Sequence, residues 1–309
     1  MKYRELGKTG IRVSELAFGC SPLGGSFGPP DEELGIRAVH TAIDLGINLF
    51  DVAPLYGGTR AESVLGRALK GIPREKFLVS TKVGRYHPYE FDFSRDRVTR
   101  SVEESLNRLG IDHIDVLLCH DVEFVPLGSI IEEAIPALRS LQAYGKVREI
   151  GISGYPLKIF REALTKTELD VVLSYCHFSL NDTSLLGLAP LVREKSCGLI
   201  AAAPLAMGLL TEQGPPDWHF ATAELREVCA EAADHCRSRG VDIALLGMQF
   251  ALANTPADTT LVGMRSPAEV QRNLDAAATP PDSTLLGEVF EILRPVKELA
   301  WPSGLPENN

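Results

Sequence analysis

Several features that assign a chain to a familiar class at first sight are missing from this sequence. The six cysteines form no CxxC pair and show no other metal-ligand spacing, so a zinc site has no support. No apolar run approaches the ~20 residues that a membrane-spanning helix needs. Lysine and arginine form no basic block and the formal net charge is -10, which makes nucleic acid and anionic membranes poor partners.

The composition that remains is globular. Of 309 residues, 45% are hydrophobic and 23% are charged, so a single domain over residues 1–309 can bury a large core without disulfides. Several cysteines lie inside apolar runs such as VLLCH, which indicates reduced, buried thiols in a reducing compartment. The charged start MKYRELGKTG lacks the character of a signal peptide. We therefore expect a cytoplasmic, single-domain protein without a bound metal.

Short apolar runs alternate along the chain with longer stretches of helical period. The runs predict eight strands, at residues 17–20, 48–53, 77–83, 114–120, 148–154, 171–177, 198–204 and 259–264. The stretches between them predict helices over residues 32–46, 61–71, 95–110, 128–145, 157–166, 185–196 and 267–278. Strands that are apolar throughout are typical of parallel strands buried on both faces.

This alternation favours an α/β fold, a closed (β/α)8 TIM barrel. An open doubly wound sheet is the alternative, weakened because no G-x-G-x-x-G follows an early strand. Residues 2–16 predict an N-terminal β-hairpin that plugs one end of the barrel. The insert 211–221 and the C-terminal tail after Pro281, with one helix and a non-helical end from Trp301, are long enough to cover the barrel mouth.

Reactive side chains follow three successive predicted strands. Asp51 ends the second strand with Tyr56 five residues later, Lys82 ends the third strand, and His120 ends the fourth. The carboxyl ends of barrel strands converge on one mouth, so an acid, a phenol, an ammonium and an imidazole are expected to meet there. Such a set suits proton transfer at a carbonyl or alcohol oxygen during hydride transfer.

Each of these residues has a predicted role. Tyr56 would be the general acid/base, with its pKa of ~10 lowered by the Lys82 ammonium. Asp51 would hold and compensate Lys82, and His120 would orient the substrate oxygen. Taken singly, each has a structural explanation: a solvated lysine, a satisfied buried histidine, a loop-capping aspartate and a turn-packing tyrosine. Their coincidence at adjacent strand ends favours the catalytic interpretation.

Six stretches spread over nearly the full length carry a resemblance to a known family. They are FDVAPLYGG, STKVG, VLLCHD, GKVREIGISG, APLAMGLLT and VGMRSPAEVQRN. In order and spacing they resemble the aldo-keto reductase superfamily, whose catalytic tetrad corresponds here to Asp51, Tyr56, Lys82 and His120. The resemblance implies a nicotinamide cofactor that lies across the barrel mouth instead of on a Rossmann turn.

The resemblance also implies which residues hold that cofactor. The expected contacts are Gly19, Cys20, Asp51, Ser153, Tyr175, Leu205, Gly208, Gly263, Arg265, Glu269 and Asn273. Among them, Ser153 matches the serine that holds the carboxamide, while Leu205 and Gly208 are expected nearest the pyrophosphate. The Asn that usually follows that serine is Gly154 in this chain.

Further departures concern the nicotinamide ring and the choice of cofactor. The usual Gln of strand six is Tyr175, and the usual stacking aromatic of strand seven is Ala202. We expect Tyr175 to take over the stacking, with ordinary core packing as the alternative. Glu269 stands where NADP-using relatives often carry Arg, and a carboxylate there would repel the 2′-phosphate, which predicts NAD. Arg265 argues the other way, because it can hold a phosphate.

Within the superfamily, KVGRY, CHDVEF, VLSYCH and the tail ending WPSG resemble the L-galactose dehydrogenases, which oxidise a sugar at its anomeric carbon with NAD. The resemblance implies a small sugar substrate. We expect it to lie between Tyr56 and His120, with the Gly57-Gly58 pair leaving room for its ring. Rim residues that would meet the remaining hydroxyls are Asp121, Glu123, His177 and Trp301. The alternatives are another aldose such as L-fucose or D-arabinose, pyridoxal, an aldehyde reductase activity, or a non-catalytic regulatory subunit that binds the cofactor.

Overall fold

The computed structural model describes residues 1–309 and contains twelve β-strands. Eight of them are parallel and close into a barrel, in which the last strand pairs with the first. The predicted (β/α)8 barrel is confirmed with all eight of its strands. Several predicted strands ended two residues too late, because the apolar pattern continues into the mouth loops. In chain order the twelve strands are Tyr3–Glu5 (β1), Arg12–Ser14 (β2), Leu16–Gly19 (β3), Leu49–Asp51 (β4), Leu78–Val83 (β5), Arg85–His87 (β6), Glu90–Phe91 (β7), Ile114–Cys119 (β8), Val147–Gly154 (β9), Val171–Tyr175 (β10), Gly198–Ala202 (β11) and Thr259–Gly263 (β12). The barrel order is β3-β4-β5-β8-β9-β10-β11-β12.

Eleven α-helices surround the barrel. They are Glu32–Asp44 (α1), Arg60–Leu69 (α2), Arg95–Leu109 (α3), Leu127–Ser129 (α4), Ile135–Ala143 (α5), Leu157–Lys166 (α6), Ala189–Glu194 (α7), Ala223–Ser238 (α8), Ile243–Asn254 (α9), Pro267–Ala278 (α10) and Ser283–Leu293 (α11). The seven predicted helical stretches are confirmed, but α8 and α9 were not predicted. Helix α9 is mostly buried and apolar on nearly every side, so it shows no amphipathic stripe in the sequence.

The N-terminal hairpin closes the amino end of the barrel, as predicted. β1 pairs antiparallel with β2, and the turn between them carries Leu6 and Ile11, which are almost fully buried. These two side chains join one apolar cluster with barrel residues such as Val116. Gly7 lies so close to Gly198 that an added Cβ would stand 2.4 Å from its amide nitrogen. The hairpin therefore packs as a plug, and the opposite end of the barrel is left for a site.

Loops and the C-terminal tail build up the carboxyl end of the barrel. The hairpin β6–β7 follows β5 there and was not predicted, because strands of three and two residues are too short to show a pattern. Phe27, in the loop after β3, contacts Trp218 of the insert 211–221, with ring centroids 5.7 Å apart. Trp301 of the tail is buried against Tyr155, which follows β9. The insert and the tail thus both lie at the barrel mouth.

All six cysteines are unpaired and buried, as predicted. None of the helices is both long enough and apolar enough to cross a bilayer. No group of three or more His, Cys, Asp or Glu side chains is arranged to hold a metal ion. Core packing therefore holds this fold together without covalent cross-links.

Candidate active site

Asp51 and Lys82 form a buried ion pair at the ends of two neighbouring strands. β4 ends at Asp51 and pairs in parallel with β5, on which Ser80 and Lys82 share one face. The Lys82 Nζ donates to Asp51 Oδ1 at 2.5 Å and to the Val52 carbonyl at 3.0 Å. The Ser80 hydroxyl donates to Asp51 Oδ2 at 2.7 Å. These contacts fix the ammonium group in one place.

The ammonium of Lys82 stays charged although it is buried. Burial alone would lower the pKa of Lys82, because a buried ammonium loses its hydration. The Asp51 carboxylate, with a contribution from Tyr56, outweighs burial and raises the pKa of Lys82 above its usual value. The Nζ atom lies 5.2 Å from the centre of the Tyr56 ring. Asp51 therefore holds Lys82 beside Tyr56, as the sequence predicted.

Tyr56 lies in a loop whose backbone contacts the backbone of the loop after β3. The chain turns after Tyr56 through Gly57, whose φ of 64° lies in the left-handed region. An added Cβ at Gly57 would stand 2.3 Å from the Gly24 carbonyl oxygen. The expectation that the Gly57-Gly58 pair leaves room for a sugar is therefore wrong for Gly57, which instead admits the loop after β3. The Tyr56 ring stands edge-on to His120, with centroids 5.7 Å apart.

The pKa of Tyr56 is shifted in the direction opposite to the prediction. Burial raises the pKa of Tyr56 to about 12; the Lys82 ammonium lowers it only in part, and Asp51 and Asp121 raise it further. Sequence reasoning counted the ammonium and missed the burial. The phenol therefore keeps its proton at neutral pH, and Lys82 limits the free energy needed to ionise it.

His120 is a neutral, buried imidazole. It follows β8 directly and is 3% exposed. Burial lowers the pKa of His120 to about 3, an effect that the neighbouring Asp121 carboxylate offsets only in part. Its Nδ1 has no hydrogen-bond partner, and its Nε2 lies 3.6 Å from Asp121 Oδ2. A neutral imidazole can hydrogen-bond to a substrate oxygen without carrying a charge into the site.

Asp121 is held beside His120 by an arginine that the sequence analysis missed. Arg85 of β6 forms an ion pair with Asp121 Oδ2, and its guanidinium lies 4.8 Å from the centre of the Phe124 ring. The signals for Arg85 were its position three residues after Lys82 and its place in the KVGRY stretch. Ser80 was also missed, although its place two residues before Lys82 puts it on the same strand face.

The predicted cofactor residues fall into three groups at the mouth, the third of which contains Ser153 and Tyr175. Gly19 and Gly263 pair across β3 and β12, and the amide of Cys20 donates to the Asp51 carbonyl at 2.8 Å, so this group borders the tetrad. The second group lies where the loop after β11 meets helices α9 and α10. There, one cleft is lined by Leu205, Ala244, Leu245, Met248, Arg272, Asn273 and Ala276.

Glu269 and Arg265 form a pair at the start of α10. The Arg265 backbone amide and its Nε donate to the two carboxylate oxygens of Glu269 at 2.8 and 2.9 Å. A second guanidinium nitrogen of Arg265 donates to the Phe27 carbonyl at 3.2 Å. Glu269 thus partly neutralises the one cation that the sequence left as a possible phosphate contact. Gly208 follows β11 with a φ of 103°.

Ser153 and Tyr175 end two adjacent strands on the far side of the mouth. The Ser153 hydroxyl donates to the Cys119 carbonyl and accepts from the Asp121 amide, at 3.3 Å each. Tyr175 is half-buried, and its hydroxyl donates to Glu123 at 3.2 Å. Both residues therefore already have protein partners that fix their orientation.

Three of the predicted rim residues are buried inside the protein. Glu123 is 0% exposed. Both ring nitrogens of His177 are engaged, one with Asp182 at 3.1 Å and the other with the Tyr155 carbonyl at 2.7 Å. The Trp301 ring stacks on Tyr155 with centroids 4.5 Å apart. Asp121 is also buried and is ion-paired with Arg85, but it is the one member of the predicted rim set that lies directly beside the tetrad residue His120.

The comparison with protein families decides what kind of site this is. A model described as the aldo/keto reductase family matches residues 15–293. The chain belongs to the aldo/keto reductase family. The match runs from the first barrel strand to α11 and includes every member of the tetrad, so the site is that of an aldo/keto oxidoreductase.

Relatives of this aldo/keto reductase cover most or all of its length. L-galactose dehydrogenase of Arabidopsis thaliana is 48% identical over 100% of this chain and 99% of its own length. D-arabinose 1-dehydrogenase of Saccharomyces cerevisiae is 34% identical over 85% of this chain and 82% of its own. Among solved structures, the holo form of an aldo-keto reductase from Bacillus halodurans matches with a TM-score of 0.77, at 28% identity over 98% of each chain. The fold and family expected from the sequence are thus confirmed.

Proposed function

We propose that this protein is an NAD-dependent sugar dehydrogenase that oxidises a cyclic aldose, with L-galactose as first candidate, at its anomeric carbon to the lactone. One observation carries the proposal: the tetrad at one barrel mouth occurs in a chain 48% identical, over its full length, to an L-galactose dehydrogenase. The reaction removes a proton from the anomeric hydroxyl and a hydride from the carbon that bears it. NAD, when bound, supplies the hydride acceptor.

Tyr56 moves the proton. In the oxidative direction it acts as the phenolate and takes the hydroxyl proton as the carbonyl forms. Lys82 makes that state accessible, because its ammonium is fixed by Asp51 5.2 Å from the ring centre. In the reductive direction, the protonated phenol is the donor. The neutral His120 hydrogen-bonds to the same sugar oxygen and so aligns it with Tyr56.

Two features of this chain fit a dinucleotide. The cleft that contains Leu205 and Asn273 is lined by five apolar residues, one amide and the Arg272 side chain, the mainly apolar lining with a few polar groups that is common at ligand sites. Residues 206–208 all have φ between 46° and 103°, a rare backbone run of the kind found at ligand sites. The Glu269 carboxylate favours the ribose hydroxyl of NAD over the 2′-phosphate of NADP.

Asp121 is the residue best placed to select the sugar. It lies beside His120 and is 7% exposed, and the Arg85 ion pair fixes the position of its carboxylate, whose oxygens can accept hydrogen bonds from hydroxyl groups. D-arabinose is the second candidate, because a relative 34% identical over most of the chain is a D-arabinose 1-dehydrogenase. The complete tetrad favours turnover over the non-catalytic alternative.

The test is the appearance of NADH absorbance when the protein and NAD are mixed with L-galactose, D-galactose, D-arabinose or L-fucose. We expect turnover with L-galactose and none with D-galactose. The Tyr56→Phe variant should lose roughly 10²- to 10⁴-fold in kcat, the usual contribution of a general acid/base, while calorimetry shows NAD binding retained. If the parent protein turned over none of these sugars, the proposal would be refuted.

A further inference from the structure

Glu123 is a buried carboxyl that joins three separate segments of the mouth. It lies in the short turn Val122–Phe124 after β8 and is 0% exposed. Its Oε1 accepts from the Tyr155 amide at 3.2 Å, the Tyr175 hydroxyl at 3.2 Å and the Ser303 hydroxyl at 3.1 Å. Its Oε2 has no partner. One side chain thus connects the loop after β9, the end of β10 and the C-terminal tail.

Gly154 provides the space for this carboxyl. A Cβ at position 154 would stand 2.6 Å from Glu123 Oε2 and 2.4 Å from Ile159 Cδ1. A side chain at 154 would therefore require both Ile159 and the Glu123 carboxyl to shift. The glycine found here in place of the usual Asn leaves the space that Ile159 and the Glu123 carboxyl occupy.

The C-terminal tail closes on the main chain of the same residue. The Leu305 amide and the Asn308 side-chain amide both donate to the Glu123 carbonyl at 2.8 Å. Gly304 lies so close that an added Cβ would stand 2.1 Å from that oxygen. Two residues before the Ser303 contact, Trp301 stacks on Tyr155. The tail is therefore seated on Glu123 and Tyr155 together.

Tyr175 meets the same two residues from inside the mouth. Its hydroxyl donates to the Glu123 carboxyl, and its ring centre lies 5.4 Å from that of Tyr155. The orientation of the Tyr175 ring is thus set by two groups that the tail also contacts. Displacement of the tail would therefore change the contacts of Tyr175 with both Glu123 and Tyr155.

We propose that Glu123 is a positioning residue that couples the packing of the C-terminal tail to the orientation of Tyr175. Through this coupling it sets the affinity of the mouth for the nicotinamide cofactor. The inference rests on the proposed function, in that Tyr175 is the ring expected to stack on the nicotinamide. Burial and the nearby Asp121 carboxylate raise the pKa of Glu123 to about 8. Tyr155 and Tyr175, the other titratable groups that contact it, also have a pKa raised by burial. A neutral carboxyl acts here as a hydrogen-bonding junction that needs no cation.

The test uses the full chain with Trp218→Phe, which leaves Trp301 as the only tryptophan. Ser303→Ala, Tyr175→Phe and the double variant are made in this background, and the Kd for NAD is measured by calorimetry. Each single change should weaken NAD binding roughly five- to tenfold, the effect of one hydrogen bond lost at a buried acid. Because both act through Glu123, the double variant should be no weaker than the weaker single one. Additive losses would overturn the proposal.

A second readout needs no cofactor. Acrylamide quenching of Trp301 fluorescence reports how firmly the tail is seated, and it should increase in Ser303→Ala and also in Tyr175→Phe, which does not touch the tail. Increased quenching in Tyr175→Phe combined with no sugar oxidation by the parent would support this inference and refute the proposed function. Unchanged quenching in Tyr175→Phe would overturn the inference alone.

Two controls separate Glu123 from the tail as a whole. Lys158 donates to the Glu307 and Asn309 carbonyls at the end of the tail without contacting Glu123, so Lys158→Met should leave the Kd for NAD within about twofold. If Lys158→Met lost as much affinity for NAD as Ser303→Ala, the tail would act without Glu123 and the proposal would be refuted. Glu123→Gln, neutral and of the same shape, should restore the binding that Glu123→Ala loses; equal losses in both would count against the junction.

Discussion

The Nζ of Lys82 and the Oδ1 of Asp51 are 2.5 Å apart, and only 2% and 3% of the two side chains are exposed. Neither charge has water to replace its partner, so removing either one would leave the other buried and uncompensated. The ammonium in turn is the charge that opposes the effect of burial on Tyr56. The ion pair therefore influences the protonation of Tyr56, a residue that is not part of the pair.

Asp51→Asn should weaken both stability and oxidation. The substitution keeps the shape but leaves the Lys82 ammonium buried without a counter-charge, which costs roughly 3 kcal/mol in the free energy of unfolding. Lys82 then loses its proton more readily, and the phenolate of Tyr56 loses its support. We expect kcat for sugar oxidation to fall at least about tenfold. Chemical denaturation and initial rates measure the two effects. An unchanged kcat would show that Tyr56 does not depend on this pair.

Oxidation and reduction should respond differently to pH. With the pKa of Tyr56 at about 12, the fraction of phenolate grows as pH rises through the range 7–10, and the phenol stays the main form throughout. The rate of sugar oxidation should therefore increase with pH, while reduction of an aldehyde should not. The neutral His120, with its pKa at about 3, should add no further step in this range. Initial rates in both directions at saturating cofactor test this, because saturation removes any effect of Glu123 ionisation near pH 8 on NAD binding; a falling oxidation rate would contradict the role of Tyr56.

Gly57→Ala and Gly58→Ala form a matched pair. Both glycines have a left-handed backbone, with φ of 64° and 59°, so alanine at either position costs roughly 1 kcal/mol of strain. An added Cβ at Gly58 meets nothing within 4 Å, whereas at Gly57 it meets the Gly24 carbonyl at 2.3 Å. Gly57→Ala should therefore lose more stability than Gly58→Ala and also reduce turnover, because Tyr56 precedes it. Equal losses in urea denaturation would mean that the contact with Gly24 is unimportant.

Glu269→Gln should shift the cofactor preference towards NADP. The amide no longer repels a 2′-phosphate, and Arg265 becomes free to bind it, so the ratio of kcat/KM for NAD to that for NADP should fall roughly tenfold. The double variant Glu269→Gln/Arg265→Ala separates the two causes. It lacks the repulsion by Glu269 but also lacks the Arg265 cation, so any remaining shift comes from the removed repulsion alone. Gln271→Ala is the control, because Gln271 lies on the same helix and bonds only to Asp275. A parent enzyme that prefers NADP would refute the assignment of Glu269.

Some residues of the site could be predicted from the sequence, and others could not. Asp51, Lys82 and His120 were found because barrel strands end at one mouth. Arg85 and Ser80 were missed, since their importance lies in partners that are distant along the chain. Glu123 and His177 were expected at the rim, yet the structure buries them, because the tail and the loop after β9 close over that side.

The sequence by itself determined the barrel, its plug and the four groups of the tetrad, because apolar periodicity and the residue that ends a strand are local properties of the chain. Only the tertiary structure decided the proton state of Tyr56, the contact between Gly57 and Gly24, and the junction at Glu123. Each of these depends on burial or on close approach between segments far apart in sequence. Neither the loss of hydration nor the space available at a residue exists until the chain has packed.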